Sequence, residues 1–204
     1  MITPDTLFAI VLLLASLLAT LVLQRARSDA RVFGCLAAVL FAIFSLSQVL
    51  PGTLGHTAIG VATLVTLATA PGALTLAVFS RLAGNVAVGT ALAMLAVGAA
   101  IGFCAGYFGY REWAIVVLLA NVIALGVLGV LHLRGNRREA VLVLASALAL
   151  AAGGLSFAIA GPRDFALFAA AALMGMAVAV TPRLGAGVKK QTWRSRALSV
   201  RRKG

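Results

Sequence analysis

Residues that commonly bind metals or transfer protons are few in this sequence. The two histidines, His56 and His132, fall at opposite ends of apolar segments, about a membrane thickness apart, so one haem cannot lie between them. Asp5, Glu112 and Asp164 fall on the same side as His56, and a metal site there would need these residues to converge. Solvated residues at segment ends explain the pattern more simply. We therefore predict no metal site and no cofactor.

The centres of the apolar segments contain no carboxylate, lysine or histidine. Proton and ion transporters keep such groups inside the membrane, in spite of their cost, because function requires them. An intramembrane hydrolase likewise needs a buried acid or base. Asp29 and Glu139 also belong to segment ends, and the last segment has no lysine for a retinal Schiff base. The sequence therefore predicts neither an enzyme nor a proton pump.

Three residues within the segments are candidates for a solute path or a kink. Asn121 lies about a third of the way into its segment, and Gln48 lies near the end of another. Such an amide can bind a solute, but it more often holds neighbouring helices together, by about 0.6 to 2 kcal/mol. Pro71 removes a helical hydrogen bond and predicts a kink, which is either a gate or a feature of shape.

Three glycines, Gly98, Gly102 and Gly106, follow one another at intervals of four residues and so share one face of a helix. In lipid, small residues let two helix backbones approach closely. We predict a helix-packing face, within this chain or against another protein; the alternative is a face for a flat pigment, quinone or lipid. The aromatic residues that follow are expected at the level of the lipid headgroups. These interface aromatics are Tyr107, Tyr110 and Trp113.

The composition is that of an integral membrane protein. Of the 204 residues, 62% are hydrophobic and 11% are charged, whereas a soluble domain has roughly a quarter charged residues. A helix needs about 20 mainly apolar residues to cross the hydrocarbon core, and only helices satisfy the backbone of such segments. The sequence predicts an all-α, seven-helix transmembrane bundle over residues 1–182. The predicted spans are 6–24, 32–50, 58–79, 86–107, 114–133, 140–160 and 165–181.

The net charge of +12 indicates orientation in a membrane and not binding to nucleic acid. Fifteen of the 17 cations fall in the tail or in the loops that alternate with the outer ones, leaving only Arg111 and Arg163 outside. The positive-inside rule then places the N-terminus outside and the C-terminus in the cytoplasm. In a bacterial cell this membrane is the inner, cytoplasmic membrane.

Residues 183–204 form a basic cytoplasmic tail without an acidic residue. Cations just inside a final span are attracted to anionic lipid headgroups, by about 1 kcal/mol each near the surface. A solvated tail that sets topology is the simplest interpretation, and docking on an acidic partner is a further one. The cations proposed for lipid or partner binding are Lys189, Lys190, Arg194, Arg196, Arg201, Arg202 and Lys203.

Four prolines are spaced as an internal repeat would space them, although any two runs of similarly spaced helices would also align their prolines. Pro51 and Pro71 are twenty residues apart, as are Pro162 and Pro182, at an offset of 111 residues. Spans one to three would then repeat as spans five to seven, with the fourth as a linker, an arrangement found in some transporters. The leading hypothesis is nevertheless a non-enzymatic accessory or assembly subunit of a larger membrane complex, or a sensory module. The alternative is a transporter of small uncharged solutes with a 3+1+3 helix repeat.

Overall fold

The computed structural model describes residues 4–26, 28–49, 56–83, 86–132 and 136–181, and these form an all-α bundle. The described part contains seven helices, one for each predicted span, joined by short connections. The tail at 183–204 lies outside the described residues, as do Pro51 and Pro182. The helices are α1 (Pro4–Leu23), α2 (Ser28–Val49), α3 (His56–Ala83), α4 (Val88–Phe108), α5 (Arg111–His132), α6 (Arg137–Ala160) and α7 (Pro162–Val180).

Six of the seven described helices are long and apolar enough to span a membrane, and α7 is shorter. The apolar part of α7 is Asp164–Val180. Gly161, with a φ of +93°, and Pro162 fix the start of the helix. Pro182 follows Thr181 in the sequence and disfavours helical geometry at that residue. The two prolines thus bound a shorter helix between them.

Consecutive helices pack antiparallel, as short connections require. Gly98 of α4 faces Ala68 of α3, whereas Gly106, further along α4, faces Val61, nearer the start of α3. One end of the bundle therefore holds the starts of α1, α3, α5 and α7, and we call it the N-terminal end.

Six helices form a ring in the order α1, α2, α3, α5, α6 and α7, which closes where α7 packs on α1. Within the ring α3 also contacts α7, and α4 lies outside it, against α3 and α5. Within the most apolar stretch of each helix, 83% of the residues are buried in α3 but only 22% are buried in α4. The bundle is thus built around α3.

The two halves of the ring pack in the same order. The α1–α2, α2–α3 and α3–α5 contacts correspond to α5–α6, α6–α7 and α7–α1. The buried faces of α2 and α6 also match when position 34 is aligned with position 143, which is an offset of 109 residues. The four prolines are related by an offset of 111 residues. The matching buried positions are 34, 37, 38, 41, 44 and 45 in α2, and 143, 146, 147, 150, 153 and 154 in α6.

Phenylalanine rings fill the middle of the ring near its N-terminal end. The Phe165 ring of α7 lies edge-on to Phe44 of α2, with 5.1 Å between centroids, and 6.4 Å from Phe41. Phe157 of α6 packs edge-on to the same ring at 6.0 Å. Edge-to-face pairs of this kind add about 0.5–1.5 kcal/mol each beyond the area they bury. The two halves therefore meet through a packed aromatic core.

Candidate functional site

The most interior amide, Asn121 of α5, faces the segment of α3 that contains Pro71. Its side chain is buried, and Nδ2 donates to the carbonyl oxygen of Val117, one turn earlier, at 2.9 Å. The Thr75 hydroxyl donates to the Pro71 carbonyl oxygen at 2.8 Å and lies 3.4 Å from Asn121 Oδ1. The structure therefore brings two of the predicted solute-path residues, Asn121 and Pro71, to one place between α3 and α5.

Pro71 and Gly72 form the part of α3 that lies beside this amide. Since Pro71 has no N–H, the Leu67 carbonyl loses its usual helical donor. A methyl group at Gly72 would lie 3.6 Å from Asn121 Oδ1, in ordinary van der Waals contact. Chemically, the site can donate and accept hydrogen bonds, and it uses this capacity within the bundle.

Gln48, the third predicted solute-path residue, lies in a different seam, between α2 and α3. Its Nε2 donates to the hydroxyl of Thr63 at 3.0 Å and to that of Ser47 at 3.1 Å, and these two hydroxyl groups are 3.2 Å apart. Gln48 therefore does not share a site with Asn121. The three predicted residues do not line one path in this structure.

Sequence analysis missed the threonines of α3. Thr66 donates to the Ala62 carbonyl at 2.8 Å, and Thr69 to the Val65 carbonyl at 2.7 Å. Back-bonding of this kind satisfies a hydroxyl within its own helix. The signal was available in the sequence, because Thr63, Thr66, Thr69 and Thr75 recur at multiples of three residues. The interior polar groups of α3 are thus bound within the bundle.

The three glycines of α4 lie directly against the α3 backbone. A Cβ at Gly102 would be 2.6 Å from the Leu64 carbonyl oxygen and from Val65 Cα, and a Cβ at Gly106 would be 2.5 Å from Val61 Cα. At Gly98 the nearest atom, a backbone oxygen, would be 3.3 Å away. Only glycine fits at the two tightest positions. In this structure the face is occupied by α3 along its length.

The predicted interface aromatics lie together at the N-terminal end, exposed on the outside of the bundle. Tyr107 stacks on Phe103 with 6.3 Å between ring centroids, and Tyr110 stacks on Trp113 at 5.7 Å. Gly109, with a φ of +79°, ends α4 between the two pairs. Their common level is the one that headgroup anchors occupy in transmembrane helices.

An ion pair that sequence analysis did not anticipate joins α3 to α6 at the opposite end. Arg81 Nη2 lies 3.7 Å from Glu139 Oε1, and both side chains are partly buried. Within the described ranges, Arg81 Nε is the one buried side-chain nitrogen or oxygen without a hydrogen-bond partner. The sequence placed both residues at the same membrane face but gave no reason to pair them.

Among the described residues no group of three or more histidine, cysteine, aspartate or glutamate side chains could hold a metal ion. The side chains of His56, His132 and Asp5 are outside the described part of the chain, as are the seven tail cations proposed for lipid or partner binding. Those predictions remain predictions.

A groove of about 730 Å³ opens on the outside of the bundle where α6 ends and α7 begins. Its lining is apolar except for Ser156 and Asp164, and the Ser156 hydroxyl donates to Asp164 Oδ2 at 3.4 Å. The apolar residues that line it are Ala152, Leu155, Ile159, Leu167, Phe168 and Ala171.

Comparison with protein-family models finds no match, and neither curated proteins nor solved structures give one.

Proposed function

We propose that this chain is a non-enzymatic membrane module that serves as an accessory or assembly subunit of a larger membrane complex. Six helices of transmembrane length and composition support a location in the membrane. In this proposal the N-terminus lies outside and the C-terminus lies in the cytoplasm, because fifteen of the 17 cations fall on the side of the C-terminus. In a bacterial cell the membrane is the inner one.

The hydrogen bonds of the interior polar residues carry this proposal. Asn121, Gln48 and Thr75 each bond to their own or a neighbouring helix, and Phe165 closes the centre of the ring. Polar groups used in this way hold helices together, whereas a catalytic group must face its substrate. Because the interior polar groups hold the helices of the bundle together, we infer that the protein interacts with other molecules through its outer surface.

That surface offers a broad apolar face on α4 and α5. Among its exposed side chains are Leu92, Val116 and Ile123, with the aromatic residues at one end. Lipid alone can cover such a face, but helices of other subunits associate on the same kind of surface by van der Waals packing. The partner that we propose is therefore another integral membrane protein, held beside α4 and α5.

Co-purification tests the proposal. The tagged full chain, extracted in mild detergent, is expected to carry a stoichiometric membrane protein. A photocrosslinking residue at Ile123, which is 68% exposed, should capture that protein, and one at Leu125, which is 0% exposed on the same helix, should not. A monodisperse chain without a partner, or equal crosslinking from the two positions, would contradict the proposal.

The repeated packing order favours a second candidate, a transporter of small uncharged solutes. In transporters with parallel repeats, substrate sites lie at the interface of the two halves. Here that interface consists of the α3–α5 and α1–α7 contacts, together with smaller contacts of α7 with α2 and α3. A solute path would require α3 and α7 to separate, and Pro71 gives α3 a place to bend.

Flux into proteoliposomes tests the second candidate. Across a panel of uncharged solutes, the transporter should exceed empty vesicles, and Asn121→Ala and Pro71→Ala should each change the rate severalfold. Gly89→Ala is the control, because no atom lies within 4 Å of the added methyl group. Flux equal to that of empty vesicles would exclude transport of those solutes.

A further inference from the structure

The groove between α6 and α7 combines an apolar lining with one acidic end. Leu155 and Ile159 of α6 are largely exposed in it, and Leu167 and Phe168 line it from α7. A lining of this composition matches a hydrocarbon chain, and it gives a soluble polar ligand almost no hydrogen-bonding groups. The occupant must therefore be mainly apolar along the groove.

The two helices touch beside the groove and do not close it. A methyl group at Gly153 would be 2.9 Å from Phe168 Cβ, so α6 and α7 are already as close there as their side chains allow. Small side chains at Ala152 and Ala171 leave the remaining space open. In a bilayer such a space faces hydrocarbon along its length and cannot hold water, because it offers water few polar partners.

The polar end of the groove carries a negative charge. Asp164 lies in the first turn of α7, where the helix dipole favours an anion, and Ser156 donates to it at 3.4 Å. A hydrogen bond of this length occupies little of the acceptor capacity of a carboxylate. Because α7 begins at the N-terminal end of the bundle, this carboxylate is at a membrane-interface level, where lipid headgroups lie. It attracts a cationic headgroup and repels an anionic one.

We propose that this groove binds one phospholipid, with an acyl chain along α6 and α7 and a headgroup ammonium paired with Asp164. The inference rests on the proposed location in a membrane and the proposed orientation. The chemistry favours an amine-bearing lipid in the outer leaflet, on the face opposite to the basic tail. Charge complementarity favours this occupant over an anionic lipid, and a second copy of the chain in the groove is an outcome that the test below distinguishes.

Native mass spectrometry of the delipidated full chain tests the inference. With synthetic phosphatidylethanolamine the chain should form a one-lipid adduct about fivefold more readily than with phosphatidylglycerol, as expected for one partly exposed ion pair. Asp164→Asn should remove that preference. Ala171→Trp should fill the groove and lower the binding of both lipids. Leu148→Trp is the matched control, since Leu148 is 71% exposed on α6 outside the groove.

Several results would overturn the inference. These are equal binding of the two lipids by the unmodified chain, indistinguishable behaviour of the two tryptophan variants, and a dimer mass that Ala171→Trp abolishes, which would assign the groove to a second copy. Circular dichroism of each variant shows whether it is folded. A selective lipid adduct without a protein partner would refute only the subunit proposal, and a stoichiometric partner without lipid selectivity would refute only this inference.

Discussion

The two halves of the ring pack in the same order but close corresponding seams differently. Between α2 and α3, Gln48 bonds to Ser47 and Thr63, and these contacts close the seam near the N-terminal end of the bundle. Between α6 and α7, Ser156 and Asp164 bond at the edge of an open groove. The same helix arrangement therefore gives one seam joined by side-chain hydrogen bonds between its two helices, which we call the closed seam, and one seam beside a groove.

The surroundings of α3 and α7 also differ. The 28-residue α3 is held by α2, α4, α5 and α7, and α4 approaches it backbone to backbone through glycine. The 19-residue α7 is held by α6, α1, α2 and α3, and no eighth helix in the described part of the chain covers its outer side. The helix α4, which packs on α3 and α5, has no counterpart in the second half, so α3 is covered on a side where α7 is not.

The largest expected effect comes from detaching α4 from α3. Gly102→Leu should lower the free energy of unfolding by about 3 kcal/mol, because even its Cβ would lie 2.6 Å from backbone atoms of Leu64 and Val65. The measurement is SDS-induced unfolding followed by circular dichroism.

Gly89→Leu, on the same helix, is the control for this experiment. No atom lies within 4 Å of a Cβ at Gly89, so the variant should be unchanged or more stable by up to about 1 kcal/mol from helix propensity. Equal stability of the two variants would mean that α4 does not depend on close contact with α3, and the cover that α4 gives α3 would not distinguish the two halves energetically.

The helices could be predicted from the sequence because long charge-free runs leave the backbone no alternative to a helix. Each predicted span contains a helix, with ends that differ by a few residues. The expectation of seven spanning helices is met in part, since α7 falls below the length of the other six. The prolines at 162 and 182 limit the length of this helix. A local sequence pattern, however, does not indicate how long a helix must be to fit the bundle.

Contacts between helices were much less accessible to sequence reasoning. The spacing of Gly98, Gly102 and Gly106 indicated a packing face but could not identify α3 as its neighbour. Asn121 and Gln48 are both candidates for a solute path because each is an amide in an apolar segment, yet they lie in separate seams. Which face of a helix meets which partner depends on the ring order, and one sequence of similar apolar segments does not encode that order locally.

The smallest expected effects compare the polar bonds of the two seams directly. Thr63→Val keeps the shape of the side chain and removes a hydroxyl that lies within 3.2 Å of two polar side-chain atoms. We expect it to lower the free energy of unfolding by about 0.6 to 1 kcal/mol. Ser156→Ala removes a bond of 3.4 Å and gains about 0.5 kcal/mol in helix propensity, so its net effect should be near zero.

The same SDS titration measures the free energy of unfolding of both variants. Which variant loses more of it decides the interpretation. A larger loss for Ser156→Ala would mean that the bond to Asp164 holds α6 and α7 together. The carboxylate would then be a structural partner of Ser156, with less capacity left for a lipid headgroup. A larger loss of unfolding free energy for Thr63→Val would mean that the Ser156–Asp164 bond is weak. Asp164 could then exchange this bond for one to a charged lipid headgroup in the groove, because hydrogen bonds between charged groups are stronger.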